Sequence, residues 1–244
     1  MEPHMIWSLP RCASTSLMSL VTACGSTCAD EPFSNQNFQA PYQAQATEGK
    51  LDVAMEDILE KWNGFKHCAH PSGWPFPDTR RYLNERILMW PGVRVVFLKR
   101  NNMLKQVVST MIAQQCGQWH CKAEEDLSKR ESFPFRPLDM ERIEFCLRNN
   151  TKFNEVSESL LADTGKPFFK VTTEVLFASD KNTRLGTAIA LLHFLGLNWP
   201  DNDTLDKLTT QEPKQFSKSI YSKVPEIEEV ERRFASLEHG SLLT

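Results

Sequence analysis

The sequence predicts an α/β fold in three layers, a central parallel sheet covered by helices on both faces. Three observations predict it. Short apolar runs alternate along the chain with segments whose apolar residues recur at helical spacing. The clearest run, Val93-Arg94-Val95-Val96-Phe97-Leu98, is β-branched and follows the turn pair Pro91-Gly92. With 244 residues the chain is long enough to bury one large core. Strands separated by helices form parallel sheets, and such sheets bind ligands at the carboxyl ends of their strands.

Taken in order, residues 5–8 form a first short strand, and Leu17, Leu20, Val21 and Cys24 fall on one face of the helix that follows. Residues 35–50, rich in Gln, Asn and Ala with Pro41, read as a surface excursion. A second strand covers residues 64–68 and leads into the turn-rich His70-Pro71-Ser72-Gly73-Trp74-Pro75-Phe76-Pro77. After the third strand at 93–98, Leu104, Val107, Val108, Met111 and Ile112 give a helix its buried stripe. Residues 140–161 form a long helix and 167–171 a fourth strand. Leu185, Ala188, Ile189 and Leu192 then line a last helix closed by Gly196 and Pro200. The expectation is a single domain over residues 1–244, without internal repeats.

Composition excludes several classes. Hydrophobic residues at 41% and charged residues at 24% are those of a soluble globular protein. The net charge of −3 removes a global basic field for nucleic acid or an anionic membrane, so any anion site must be local. Neither a basic leader nor an apolar run of the roughly 20 residues that span a bilayer is seen, and a cytoplasmic protein is expected. Seven scattered cysteines without a C-x-x-C pair argue for reduced thiols. Cys116, His120 and Cys121 lack the second pair that a zinc site needs, and no metal is expected.

Chemistry concentrates in Ile6-Trp7-Ser8-Leu9-Pro10-Arg11-Cys12-Ala13-Ser14-Thr15-Ser16-Leu17, a strand, a tight turn and a hydroxyl-rich helix start. Free N–H groups in a first helical turn, the positive end of the helix dipole, three hydroxyls and the Arg11 charge can converge on one anion. The stretch has neither the G-x-x-x-x-G-K-[ST] of nucleoside triphosphatases nor the G-x-G-x-x-G of dinucleotide binders.

It resembles instead the P-R-S-G-S-T loop of sulfotransferases that use 3′-phosphoadenosine 5′-phosphosulfate, with Cys12 in place of Ser and Ala13 in place of Gly. A positive φ at residue 13 would therefore be strained. Further matches follow in the family's order. Asp30-Glu31-Pro32-Phe33 resembles the acidic segment of a small bacterial-type, carbohydrate-sulfating branch. Arg100 and Ser109 resemble the pair that clamps the 3′-phosphate, although the usual spacing from Ser109 lands on Asn101. Val171-Thr172-Thr173-Glu174-Val175-Leu176-Phe177 and His193-Phe194-Leu195-Gly196-Leu197 are similar to the closing motifs.

The resemblance implies a P-loop-like domain with residues 11–16 (Arg11, Cys12, Ala13, Ser14, Thr15 and Ser16), Arg100 and Ser109 on the donor, and a sulfuryl group moved to a hydroxyl or amine of a small-molecule or carbohydrate acceptor. The acceptor proton needs a base within hydrogen-bond reach. Glu31 and His67 are equal candidates, with His70 behind them. Trp74, Phe76, Trp90 and Trp119 offer aromatic surface either to an acceptor or to the core. Two other readings stand beside this one, an inactive nucleotide-binding protein of the same fold and a small-molecule P-loop kinase.

Overall fold

The computed structural model describes residues 2–34, 41–119, 132–210 and 218–242. Five strands run in order β1 (His4–Ser8), β2 (Cys28–Asp30), β3 (Gly64–Cys68), β4 (Arg94–Lys99) and β5 (Phe168–Thr172). The helices are α1 (Ser14–Ala23), α2 (Pro41–Thr47), α3 (Leu51–Lys61), α4 (Tyr82–Leu88), α5 (Met103–Cys116) and α6 (Met140–Asp163). They continue with α7 (Thr173–Leu176), α8 (Lys181–Leu195), α9 (Asn202–Thr210), α10 (Lys218–Tyr221) and α11 (Ile227–Phe234). The chain divides into two compact units, Met1–Lys99 with Phe153–Glu212 and Arg100–Lys152 with Pro213–Thr244.

The first unit holds the sheet, in the order β2-β3-β1-β4-β5 with every pair parallel. Met5 stands beside Phe65 and Val95, and Trp7 beside His67 and Phe97. Because strand side chains alternate, these residues share one face. There they pack under Leu51, Met55 and Ile58 of α3 and Leu83, Ile87 and Leu88 of α4. On the other face Ile6, Val96, Leu98 and Val171 meet Leu17, Leu20 and Val21 of α1 and Ala188, Leu191 and Leu192 of α8. Both faces are covered, as a parallel sheet requires.

His4 opens β1 opposite Gly64, and the glycine is needed there. A Cβ on residue 64 would come within 2.4 Å of the His4 ring. Ser26 gives its hydroxyl proton to Asn63 Oδ1 at 2.9 Å, so the His4 Nε2–H donates to Ser26 Oγ at 3.1 Å. The second unit has its own core, in which Leu104, Val107, Val108 and Ile112 of α5 pack with Ile143, Leu147, Ile227, Val230 and Phe234.

The architecture is the three-layer α/β fold read from the sequence, with two differences. Among the described residues five strands form where four were expected, because β2 is three residues long and shows no periodicity of its own. It exists through its pairing of Cys28, Ala29 and Asp30 with Gly64, Phe65 and Lys66. Part of the 35–50 excursion is helix α2, held down by buried Tyr42 and Ala46, while residues 35–40 lie outside the described residues. Among the described residues no helix is long and apolar enough to cross a membrane.

The strand order also locates a crevice. From β1 the chain leaves toward β2, and from β4 it leaves toward β5, on the opposite side. Neighbouring strands that send the chain apart open a cleft at their carboxyl ends, which is where the loop at residues 9–13 begins.

Candidate functional site

The β1–α1 loop is built on left-handed backbone at two non-glycine residues, Arg11 at φ 68° and Ala13 at φ 61°. A side chain in this region costs roughly 1–2 kcal/mol per residue, so the surrounding structure must hold the loop in place. Part of that hold is the Thr173 hydroxyl, which shares its proton between the Cys12 carbonyl at 2.8 Å and the Lys99 carbonyl at 3.1 Å. Thr173 thereby ties the loop to the end of β4. The Cys12 side chain is buried in the core beneath α1.

Ala13 is the residue before α1 and supplies no side-chain cap, and the first helical bond is from the Leu17 N–H to the Ala13 carbonyl at 3.1 Å. The amides of Ser14, Thr15 and Ser16 precede that bond at the positive end of the helix. Their side chains differ in use. Buried Ser14 places its hydroxyl 3.5 Å from the Cys68 sulfur, which Ser8 approaches to 3.6 Å from the neighbouring strand. Thr15 accepts a hydrogen bond from Lys66 Nζ at 3.0 Å. Ser16 is half-buried.

Lys66 is the centre of the site. Its side chain is 1% exposed, and its ammonium lies 2.6 Å from Asp30 Oδ1 and 3.0 Å from Glu31 Oε1. A buried ammonium persists only when paired. Burial works against its charge, but the ionised forms of Cys68, Glu31 and Asp30 outweigh burial, and the lysine pKa moves up. The two carboxylates carry this effect at neutral pH, since burial pushes the Cys68 thiol up to about 12.

Glu31 itself sits at φ 52°, its N–H bonded to the Lys66 carbonyl at 3.1 Å and its carbonyl accepting from the Ser34 N–H at 2.8 Å. The turn fixes the carboxylate beside the ammonium. Thus a strand end, a left-handed turn and a helix start bring Asp30, Glu31, Lys66 and Thr15 into one cluster.

His67 lies on the opposite face of β3 from Lys66, as the two-residue period demands. Its ring stacks on Trp7 with centroids 5.2 Å apart and meets Phe33 edge-on at 5.8 Å. Asn84 donates its Nδ2 protons to the Gly73 and Trp74 carbonyls, which turns its Oδ1 toward the imidazole. His67 Nε2 donates to that oxygen at 2.8 Å. Burial lowers the His67 pKa to about 4, against the opposing pull of the Asn84 bond and the Glu31 charge. His70 lies past the end of β3, its Nδ1 accepting from the Ser72 hydroxyl at 2.8 Å and the Ser72 N–H at 3.2 Å.

Arg100 and Ser109 belong to the second unit. Arg100 directly follows β4, and Ser109 is buried within α5. Of the four aromatic candidates, Phe76 is buried in the core under α3 and α4, and Trp90 packs against it. Among the described residues no three or more His, Cys, Asp and Glu side chains are grouped to hold a metal ion, and His120 and Cys121 lie outside the described residues.

Comparison with known protein families, with curated proteins and with solved structures finds no match for this chain. Neither Lys66 nor Thr173 is among the site residues expected from the sequence. The signal for Lys66 is a lysine inside a strand whose neighbours Phe65 and His67 are core residues. Such a cation must find an anionic partner. Thr173 has no such signal, because its two acceptors are main-chain carbonyls distant in sequence.

Proposed function

We propose that this chain is a cytoplasmic sulfotransferase with a P-loop-like donor site, moving a sulfuryl group from 3′-phosphoadenosine 5′-phosphosulfate to a hydroxyl or amine acceptor. The observation that carries the reading is the cluster of Asp30, Glu31 and Lys66, fastened through Thr15 to an uncapped helix start at the carboxyl edge of the sheet. Donor phosphosulfate oxygens accept from the amides at residues 14–16, and Arg11 supplies the formal charge that the cluster, with two carboxylates and one ammonium, does not.

In the transfer step the acceptor oxygen forms a new bond to sulfur while the bond from sulfur to the bridging phosphate oxygen breaks. The electron pair of the broken bond leaves with adenosine 3′,5′-bisphosphate. The acceptor proton passes to a carboxylate, and Glu31 is favoured over His67 as its receiver. Glu31 is held next to the loop, whereas the low pKa of His67 makes its ring a weak base. Lys66 positions Glu31 and Thr15. Orientation and electrostatic stabilisation supply the rate. The assignment of Arg100 and Ser109 to the 3′-phosphate rests on the sequence resemblance alone.

The test is a thermal-shift comparison of adenosine 3′,5′-bisphosphate with ATP, NAD and adenosine phosphosulfate, because a ligand of the folded state raises the melting temperature. The bisphosphate should stabilise the protein most, and Arg11→Ala should abolish the shift. No shift at millimolar bisphosphate sinks the proposal. Binding without transfer to any acceptor favours an inactive nucleotide-binding protein, and magnesium-dependent ATP consumption favours a kinase.

A further inference from the structure

The amino edge of the sheet, opposite the loop at residues 9–13, carries a cleft of its own. β1, β4 and β5 are neighbours and begin there together, the Arg94 N–H bonding to the Pro3 carbonyl at 2.9 Å and the Val95 N–H to the Pro167 carbonyl at 3.3 Å. The segments leading into these strands enclose about 290 Å³, near the lower end of the roughly 300–1,000 Å³ of small-molecule sites. All the lining residues belong to the first unit. Met89, Val93 and Pro167 give the cleft an apolar wall, and its charged residues are Glu2, Arg94 and Lys166.

The three charges are not used alike. Arg94 is paired with Glu2, donates to the Phe194 carbonyl and lies over the Phe194 ring at 5.6 Å. Glu2 is thereby committed. Lys166 instead gives two of its three ammonium N–H groups to main-chain carbonyls, that of Leu88 at 2.8 Å and that of Trp90 at 2.6 Å, at the negative end of α4. One N–H is left over. Burial lowers the Lys166 pKa to about 8, and among the described residues no carboxylate offsets that burial. A half-buried cation without an anionic partner is stabilised by an anion brought into hydrogen-bond reach.

We propose that this cleft is a binding site for a small aliphatic monocarboxylate, with the carboxylate on the Lys166 ammonium and the hydrocarbon chain against Met89, Val93 and Pro167. Two cations and one carboxylate leave the lining with one positive charge in excess, which a monoanion neutralises and a dianion overshoots. The apolar wall favours a ligand with a hydrocarbon chain over a bare inorganic ion. An amine meets Lys166 as a like charge, and an alcohol leaves the excess charge unmet. No residue of the cleft belongs to the loop at residues 11–16 or to the cluster of Asp30, Glu31 and Lys66, so this site does not rest on the sulfotransferase reading.

The experiment titrates hexanoate into the isotope-labelled full chain and follows its backbone amides by NMR, with hexanol, hexylamine and hexyl phosphate in parallel. Hexanoate should bind more tightly than the other three, and the amides that move should centre on residues 89–94 and 164–167. Lys166→Gln keeps an N–H donor for the α4 carbonyls but removes the charge, and it should weaken hexanoate binding by about tenfold or more. Thr164→Glu adds a carboxylate to the lining at an exposed position and should weaken it to a similar extent. Absence of hexanoate binding at high millimolar concentration, or equal binding in wild type and both variants, overturns the site. Shifts centred on residues 11–16 overturn it as well, because the carboxylate then occupies the loop. Hexanol binding as well as hexanoate refutes the role of the charge, and tighter binding of hexyl phosphate refutes the monocarboxylate assignment. Should Lys166→Gln fail to fold, Thr164→Glu and the four ligands decide.

Discussion

Acid should weaken this protein well before its carboxylates are fully titrated, because two imidazoles are folded into its core in the neutral form. Burial lowers the pKa of His4 and of His67 from 6.5 to about 4. Above about pH 6.5 both are neutral, folded or unfolded, and stability is at its full value. As pH falls from about 6.5 to about 4 the unfolded chain binds protons that the folded chain refuses. Stability therefore falls through that window and levels off below it.

At about pH 5 the loss relative to pH 8 is ~2 kcal/mol for each histidine, or about 4 kcal/mol for both. That is a large part of a typical folding free energy of about 5–15 kcal/mol. Urea unfolding at the two pH values measures it, the midpoint dropping by roughly 1–2 M at a slope of about 2–3 kcal/mol/M. His67→Gln keeps a donor for Asn84 Oδ1 but does not titrate, so it should remove about half of the difference. An equal loss in wild type and variant refutes the burial argument for His67.

Three further outcomes follow from the site. Lys66→Met leaves Asp30 and Glu31 without their cation and should cost about 3–5 kcal/mol in urea unfolding. Adding Asp30→Asn and Glu31→Gln should restore most of that, and an unchanged midpoint in the single variant would mean that the cluster is not paired in solution. Thr173→Val should cost about 1 kcal/mol of stability and weaken bisphosphate binding, read by calorimetry, since the loop loses its tie to β4. On the proposed sulfotransferase reading, Glu31→Gln should lower turnover by about a hundredfold with bisphosphate affinity unchanged, as loss of a general base does. Affinity falling in step with turnover would instead make Glu31 a donor ligand.

Much of this architecture could be read before any coordinates, and the reason is periodicity. β4 and the helical stripes on α1, α5 and α8 are long enough for alternation or a 3.6-residue repeat to show, and the order of strands and helices then implies a covered parallel sheet. β2 escaped because three residues cannot display a period. The hydroxyl-rich start of α1 was legible from Ser14, Thr15 and Ser16. The left-handed backbone at Arg11 was not, since arginine gives no sign of it.

Sequence by itself determined the fold class, the position of the hydroxyl-rich loop after the first strand, and the residues available for chemistry. Local patterns determine these, and a chain carries local patterns in its own order. Tertiary structure alone decided which residues meet. It put Lys66 against Asp30, Glu31 and Thr15, and turned His67, one residue along, into the aromatic core on the other side of the sheet. It also placed the Thr173 hydroxyl on two main-chain carbonyls 161 and 74 residues away. Such pairings depend on strand register and on which face a side chain takes, and a shift of one residue reverses the face.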